Sequence, residues 1–116
     1  MQLTIDAPSI LFCTRPVDFR KAVNGLIDVV LTELQTDVQK NIFIFYNRSR
    51  TKIKILAWHK NGFVLLMKQL EKGHFFNAQC DTGAINVTPQ QLSWLLAGLD
   101  WVSMSAWGEL EFSDFH

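Results

Sequence analysis

The chain has 116 residues, of which 48% are hydrophobic and 19% charged, and its 11 basic and 11 acidic side chains cancel. This composition supplies a core for one domain and excludes a disordered chain, while zero net charge argues against a general nucleic-acid-binding protein. No apolar run is long enough to span a membrane, and the first residues lack the features of a signal peptide. We therefore expect a cytoplasmic protein with no membrane partner.

The charges are unevenly distributed along the sequence. All eleven Lys and Arg residues lie between Arg15 and Lys72 together with five acidic residues, so this segment has a net charge of +6. The other six acidic residues lie in the two flanks. A polarised surface of this kind can steer one face of a protein toward a polyanion.

The first predicted elements are a strand and a long helix. Ser9–Cys13 is typical of a strand near a sheet edge. Apolar residues then recur at spacings of three and four, which predicts an amphipathic helix over residues 18–35 with Asp18 as its N-cap. The predicted buried face comprises Phe19, Val23, Leu26, Ile27, Val30 and Leu34.

A three-strand antiparallel meander is predicted next. Residues 42–46, 51–58 and 63–68 are rich in the residues that fit a pleated, packed surface. Residues 47–50 and 59–62 are turn-like, and such short connections favour antiparallel neighbours.

The turn before the second meander strand and the start of that strand carry a periodic set of cations, which we call the basic strip: Arg48, Arg50, Lys52 and Lys54. If the strand starts early enough, all four project to one side. Because strand side chains alternate between faces, the strip would continue through Leu56 to Trp58, a stacking group. This pattern predicts nucleic-acid binding through phosphate contacts. Further candidate contacts are Arg20, Lys21 and Lys60. The alternative is an ordinary solvated sheet face.

The last predicted elements are a short strand, Ala84–Val87, and a helix over residues 89–97. Thr88 suits the N-cap, Pro89 the first helical position, and Gln91 completes a capping box. Gly98 is placed to end the helix. The fold class is therefore α+β: an antiparallel sheet of four to five strands with two amphipathic helices. If both helices cover one sheet face, the other is free to bind.

The predicted domain spans residues 1–101 and is followed by an aromatic and acidic tail, residues 102–116. Aromatic side chains dominate interface energetics, so Trp107 and Phe112 are the candidate anchors for a protein partner. This tail supports a second hypothesis, in which the chain is an adaptor that binds a partner protein without contacting DNA.

The sequence contains no motif of a catalytic site. It lacks a nucleophile elbow, a phosphate-cradling glycine loop and paired histidines. Its acidic residues could in principle form a metal-binding cluster, and so could Cys80 with His74, but other roles explain these residues better. We expect a protein that is not an enzyme and needs no metal or cofactor.

Four pieces of the sequence, in order, resemble a known family. They are VDFRKAVNGL at 17–26, IFIFYNR at 42–48 with IKILAWHKNGF at 53–63, KQLEKGHF at 68–75, and QLSWLLAGLDW at 91–101. They resemble transposition protein B, the second-reading-frame protein of the insertion-sequence sixty-six class of bacterial transposable elements. The resemblance implies a non-catalytic accessory protein of transposition that binds DNA or the transposase of the same element. The chain departs from the family pattern at His59, where an acid is usual, and in its acidic tail.

Overall fold

The computed structural model describes residues 5, 7 and 9–105. The strands are β1 (Ser9–Cys13), β2 (Asn41–Tyr46), β3 (Lys52–His59), β4 (Gly62–Gln69) and β5 (Ala84–Val87), and the helices are α1 (Val23–Val29) and α2 (Pro89–Leu96). A π-helical segment, Val30–Leu34, continues α1, and residues 101–105 are helical. None of the helices in the described ranges is long and apolar enough to cross a membrane.

The five strands form one sheet in the order β4-β3-β2-β1-β5. β2, β3 and β4 make the predicted antiparallel meander, and β5 pairs antiparallel with β1. The α+β class and the five strands confirm the prediction. One pairing differs, because β1 and β2 are parallel. The helical crossover between these two strands accounts for this, since it returns the chain to the same end of the sheet.

The two helices cover opposite faces of the sheet, so the expectation of one free face is wrong. On the α1 side, Leu26 and Val30 pack in a core with Phe43, Phe45 and Leu56. The other side has a separate core, in which side chains from α2 and the 101–105 helix pack on the sheet. Its buried members are Phe12, Ile44, Tyr46, Ile53, Phe75, Val87, Leu95 and Trp101. Because side chains alternate along β2, Phe43 and Phe45 enter one core and Ile44 and Tyr46 the other. Both faces of this central strand are therefore covered.

The first helix begins five residues later than predicted. Asp18 is not its N-cap, since the residue in that position is Ala22 and no side chain caps the helix. Asp18 instead closes a turn, in which its Oδ1 accepts from the backbone N–H of Arg20 and its carbonyl accepts from Lys21. Asp side chains stabilise turns by such bonds, which compete with helix formation.

The second helix confirms its predicted start and end signals. The Thr88 side chain accepts from the backbone N–H of Gln91, and the Gln91 side chain accepts from the backbone N–H of Thr88. At the other end Gly98 has φ +78°. The backbone N–H groups of Gly98 and Leu99 donate to Leu95 and Trp94, which is the Schellman arrangement.

We expect Thr88→Ala to lower the free energy of unfolding by about 1 kcal/mol, because the helix loses its capping hydroxyl. Denaturant unfolding measures this as a lower midpoint with an unchanged slope. Ser93→Ala is the matched control, since Ser93 is exposed within α2 and alanine is the better helix former. Equal midpoints for the wild type and Thr88→Ala would contradict the role of this cap.

Candidate nucleic-acid interface

A turn closed by several hydrogen bonds joins β2 to β3 and contains part of the basic strip. Asn47 organises it, since its Oδ1 accepts from the backbone N–H groups of Thr51 and Lys52 at 2.9 and 3.0 Å. The carbonyl of Asn47 accepts from the backbone N–H of Arg50, which has φ +60°. Asn side chains commonly close turns in this way. The turn therefore holds the backbone of Arg48 in a defined position.

The loop before α1 lies against this turn. The backbone N–H of Val17 donates to the carbonyl of Tyr46 at 3.0 Å, which fixes the loop to the last residue of β2. Further along the loop, the guanidinium of Arg20 forms an ion pair with Asp18, with Nη2 2.6 Å from Oδ2. Hydrogen bonds from Arg20 lower the pKa of the Asp18 carboxyl to about 2. Asp18 is therefore negatively charged at neutral and at mildly acidic pH.

Lys54 of the basic strip is a buried structural residue. Only 9% of it is exposed, and its ammonium donates to the carbonyls of Phe19 and Lys21, each at 2.9 Å. The same Nζ lies 4.8 Å from the centroid of the Phe19 ring, a cation–π contact. The expectation that Lys54 faces solvent is therefore wrong, because the loop before α1 covers this end of the strand. Lys54 fastens the loop to the sheet.

Loop and turn together enclose an open cleft of about 720 Å³, which we call the basic cleft. It brings together three of the predicted contacts, Arg20 from the loop and Arg48 and Lys52 from the hairpin. Its remaining lining residues are Pro16, Val17, Asp18, Phe19, Asn47 and Ser49. Arg20 and Arg48 are exposed, and Lys52 is half-buried. The cleft therefore concentrates three cations around a concave surface, beside the single carboxylate of Asp18.

The other predicted contacts lie elsewhere. The Arg50 guanidinium is directed toward Asn77, 3.4 Å from its Oδ1. Trp58 is half-buried and stacks edge-to-face on Phe63, with ring centroids 5.0 Å apart. Since a strand rises about 3.4 Å per residue, Trp58 and Lys60 are on the order of 20 Å or more from Lys52. The predicted nucleic-acid contacts are thus divided between the two ends of β3, with Trp58 and Lys60 at the end away from the basic strip.

Lys21, another predicted contact, is not among the residues that line the cleft. It is exposed, and its carbonyl accepts a hydrogen bond from the Lys54 ammonium. Trp107 and Phe112, the predicted partner anchors, lie outside the described residues. The tail boundary at residue 102 lies within a helix in the described part of the chain, where the Gln91 side chain donates to Ser105.

The acidic, histidine and cysteine side chains do not gather into a metal site within the described ranges, where no group of three or more has suitable positions. His74 Nδ1 lies 2.7 Å from the carbonyl of Ser49. Burial raises the pKa of the Cys13 thiol to about 12, with a further contribution from Glu33. Cys13 is therefore a protonated core residue.

Sequence reasoning missed several cleft residues. Pro16, Val17 and Asn47 carry no charge, so a search for cations does not find them. Asn47 did have a local signal, because an Asn at the end of a strand favours a turn with side-chain closure. The loop had none, since its position depends on contacts with strands more than 25 residues away in sequence.

Comparison with known proteins decides the family. A family model described as "IS66 Orf2 like protein" matches residues 8–106. The chain belongs to this family. This confirms the resemblance drawn from the four sequence pieces, and with it an accessory role in the transposition of an insertion sequence. The family is not a known catalytic one.

The chain is also similar to two curated proteins of Sinorhizobium fredii (strain NBRC 101917 / NGR234). "Uncharacterized protein y4jC" is 37% identical over 93 residues, which cover 79% of this chain and 80% of that protein. "Uncharacterized protein y4hO" is 39% identical over 61 residues, about half of each chain at 53%. No solved structure matches the chain.

Proposed function

We propose that this accessory protein of transposition binds the phosphate backbone of DNA through the basic cleft. The observation that carries the proposal is the convergence of Arg20, Arg48 and Lys52 from two separate segments onto one concave surface. Arginine forks match phosphate oxygens, and lysine adds a point charge. The role in transposition makes DNA the natural polyanion.

The cleft contains few charges, so binding should be weak and independent of sequence. Phosphate contacts give affinity without reading bases. If about three phosphates are engaged, the observed association constant should fall with salt at a log–log slope near −2.7. The four-cation strip predicted from the sequence would give a slope of about −3.6, so a salt titration distinguishes the two.

Reversing two charges of the cleft should remove most of the binding. We expect Arg48→Glu with Lys52→Glu to weaken binding to element-end DNA more than about tenfold at low salt, because repulsion replaces two phosphate contacts. Both side chains reach the surface, so the fold should persist. Fluorescence anisotropy at several salt concentrations, with random DNA in parallel, measures the affinity and its slope.

The matched control is Lys40→Glu with Lys60→Glu. Both residues are exposed and adjoin the ends of β2 and β3 that lie away from the cleft. Their reversal changes the net charge by the same amount as Arg48→Glu with Lys52→Glu. The control should retain binding. Equal losses in both double variants would assign the effect to overall charge and reject the cleft. If the wild type does not bind DNA, the adaptor hypothesis remains. Co-purification of the transposase with the full chain, and with a variant that lacks residues 106–116, then tests that hypothesis.

Asp18 provides a test in the opposite direction. Its carboxylate pairs with Arg20 in the cleft and repels phosphate. We expect Asp18→Asn to increase DNA affinity about two- to fivefold, the scale of one exposed ion pair. Asp28→Asn, exposed on α1 and outside the cleft lining, makes the same change in net charge and should have a smaller effect. Weaker binding by Asp18→Asn would show that Asp18 is needed to position Arg20.

A further inference from the structure

Among the described residues, one edge of the sheet is a strand with no further strand beside it. β4 is outermost, and it pairs with β3 over its whole length in one continuous register from Gln69 opposite Lys52 to Gly62 opposite His59. The opposite edge, β5, has only four residues. Short edge strands protect against unwanted pairing, whereas a long, regular edge has a row of backbone groups ready for another strand.

In the part of the chain that the structure describes, the C-terminal half of β4, residues 66–69, lacks the features that usually protect an edge strand. Leu66 is 51% exposed and Met67 is 59% exposed, and the strand contains no proline. Its one charged residue, Lys68, has its ammonium 2.6 Å from the carbonyl of Leu96 on the α2 side. A lysine that extends from an edge discourages pairing, but this one is directed onto a helix end. Leu66 and Met67 are therefore exposed on an edge strand whose one lysine side chain does not hinder pairing with another strand.

We infer that β4 pairs antiparallel with β4 of a second copy of this chain, joining two sheets into one of ten strands. A two-fold axis perpendicular to the sheet keeps equivalent faces together, so residues paired across the junction must share a face. Every register centred on a residue meets this condition, and the one centred on Leu66 brings the exposed side chains of Leu66 and Met67 to the middle of the junction. It places Leu66 against its twin on the α2 side and Met67 against Leu65 on the α1 side.

The charges of the chain favour this occupant. In the register centred on Leu66, Lys68 lies opposite Val64 of the second copy, so the two lysines avoid each other. The net charge of zero means that two copies do not repel as whole molecules. Both basic cleft openings would lie on the α1 side of the joined sheet, at opposite ends of the pair, since Lys52 is opposite Gln69. The inference itself does not depend on what the clefts bind.

The experiment is sedimentation equilibrium of the full chain over a range of concentrations. The wild type should form a dimer. Leu66→Glu and Leu66→Lys should each be monomeric at concentrations where the wild type is dimeric, because each puts like charges opposite each other at the centre of the register. An equimolar mixture of the two variants should recover the dimer, since glutamate then faces lysine.

Leu31→Glu is the matched control, because Leu31 is 53% exposed and lies in the π-helical segment, away from the sheet edge. It should dimerise like the wild type. Hydrogen exchange gives a second readout without substitutions, since amides of β4 should exchange more slowly as the concentration rises. A monomeric wild type, dimeric single variants, a mixture that stays monomeric, or exchange in β4 that is independent of concentration would each overturn the inference.

Discussion

Lys54→Glu should unfold most of the protein or lower its free energy of unfolding by roughly 3–5 kcal/mol, the scale of an uncompensated buried charge. The substitution puts a carboxylate where two carbonyl oxygens now accept from an ammonium, those of Phe19 and Lys21. Repulsion then replaces two charge-assisted bonds at a site that is 9% exposed. Since natural domains are stable by only about 5–15 kcal/mol, thermal and denaturant unfolding should both show the loss.

Two companion variants define the cause. Lys54→Met keeps an unbranched apolar stem but leaves both carbonyls without this donor, so it should cost about 1–3 kcal/mol. Lys52→Glu makes the same charge reversal two residues earlier on β3, at a half-buried position on the cleft. It should change the free energy of unfolding by only about 0.5 kcal/mol, as surface substitutions usually do. If Lys54→Glu unfolds at the wild-type midpoint, the ammonium is not held by these carbonyls.

Lys54 also marks the limit of reasoning from strand periodicity. Alternation correctly predicted that Lys52, Lys54 and Leu56 share a face, because the register of β3 with β4 requires it. It could not predict what covers that face. Leu56 packs in the α1 core, so the cation two residues before it is at the border of that core. The segments that cover a sheet face come from distant parts of the chain, so the spacing of residues along one strand does not predict them.

The basic cleft shows the same division between local and distant information. Arg20, Arg48 and Lys52 were each predicted as contacts from charge and spacing, but their convergence depends on a bond between Val17 and Tyr46. No local sequence pattern predicts a hydrogen bond between two residues that are 29 positions apart. The first turn of the long predicted helix is wrong for a local reason. The Asp18 carboxylate accepts from the backbone N–H of Arg20 and closes a turn where the helix was expected to begin.

The elements with strong local signals were predicted closely. The strands Ser9–Cys13 and Ala84–Val87 have their predicted bounds, and the meander strands differ by one residue at their ends. The capping box and Gly98 fixed α2 because caps act within one turn of the backbone. The parallel pairing of β1 with β2 was available from the strand–helix–strand order, since such a crossover normally connects parallel neighbours.

Trp101→Ala should lower the free energy of unfolding by about 3–5 kcal/mol, the usual cost of removing a large buried aromatic side chain. Trp101 is 3% exposed. Its ring packs edge-to-face on Phe12, with centroids 5.0 Å apart, and its Nε1 donates to the carbonyl of Phe76 at 2.8 Å. The residue therefore joins the C-terminal helical segment to β1 and to the connection before β5.

Trp58→Ala is the matched control for this prediction, because Trp58 is only half-buried and packs on Phe63 at the far end of β3. Its cost should be clearly smaller in the same denaturant titration, and equal costs would contradict a core role for Trp101.

The core position of Trp101 also determines how the tail must be tested. A deletion that includes Trp101 would unfold the domain and lose every partner, whereas removal of residues 106–116 leaves Trp101 and the Gln91–Ser105 bond in place. Only the shorter deletion can separate binding by Trp107 and Phe112 from the stability of the fold.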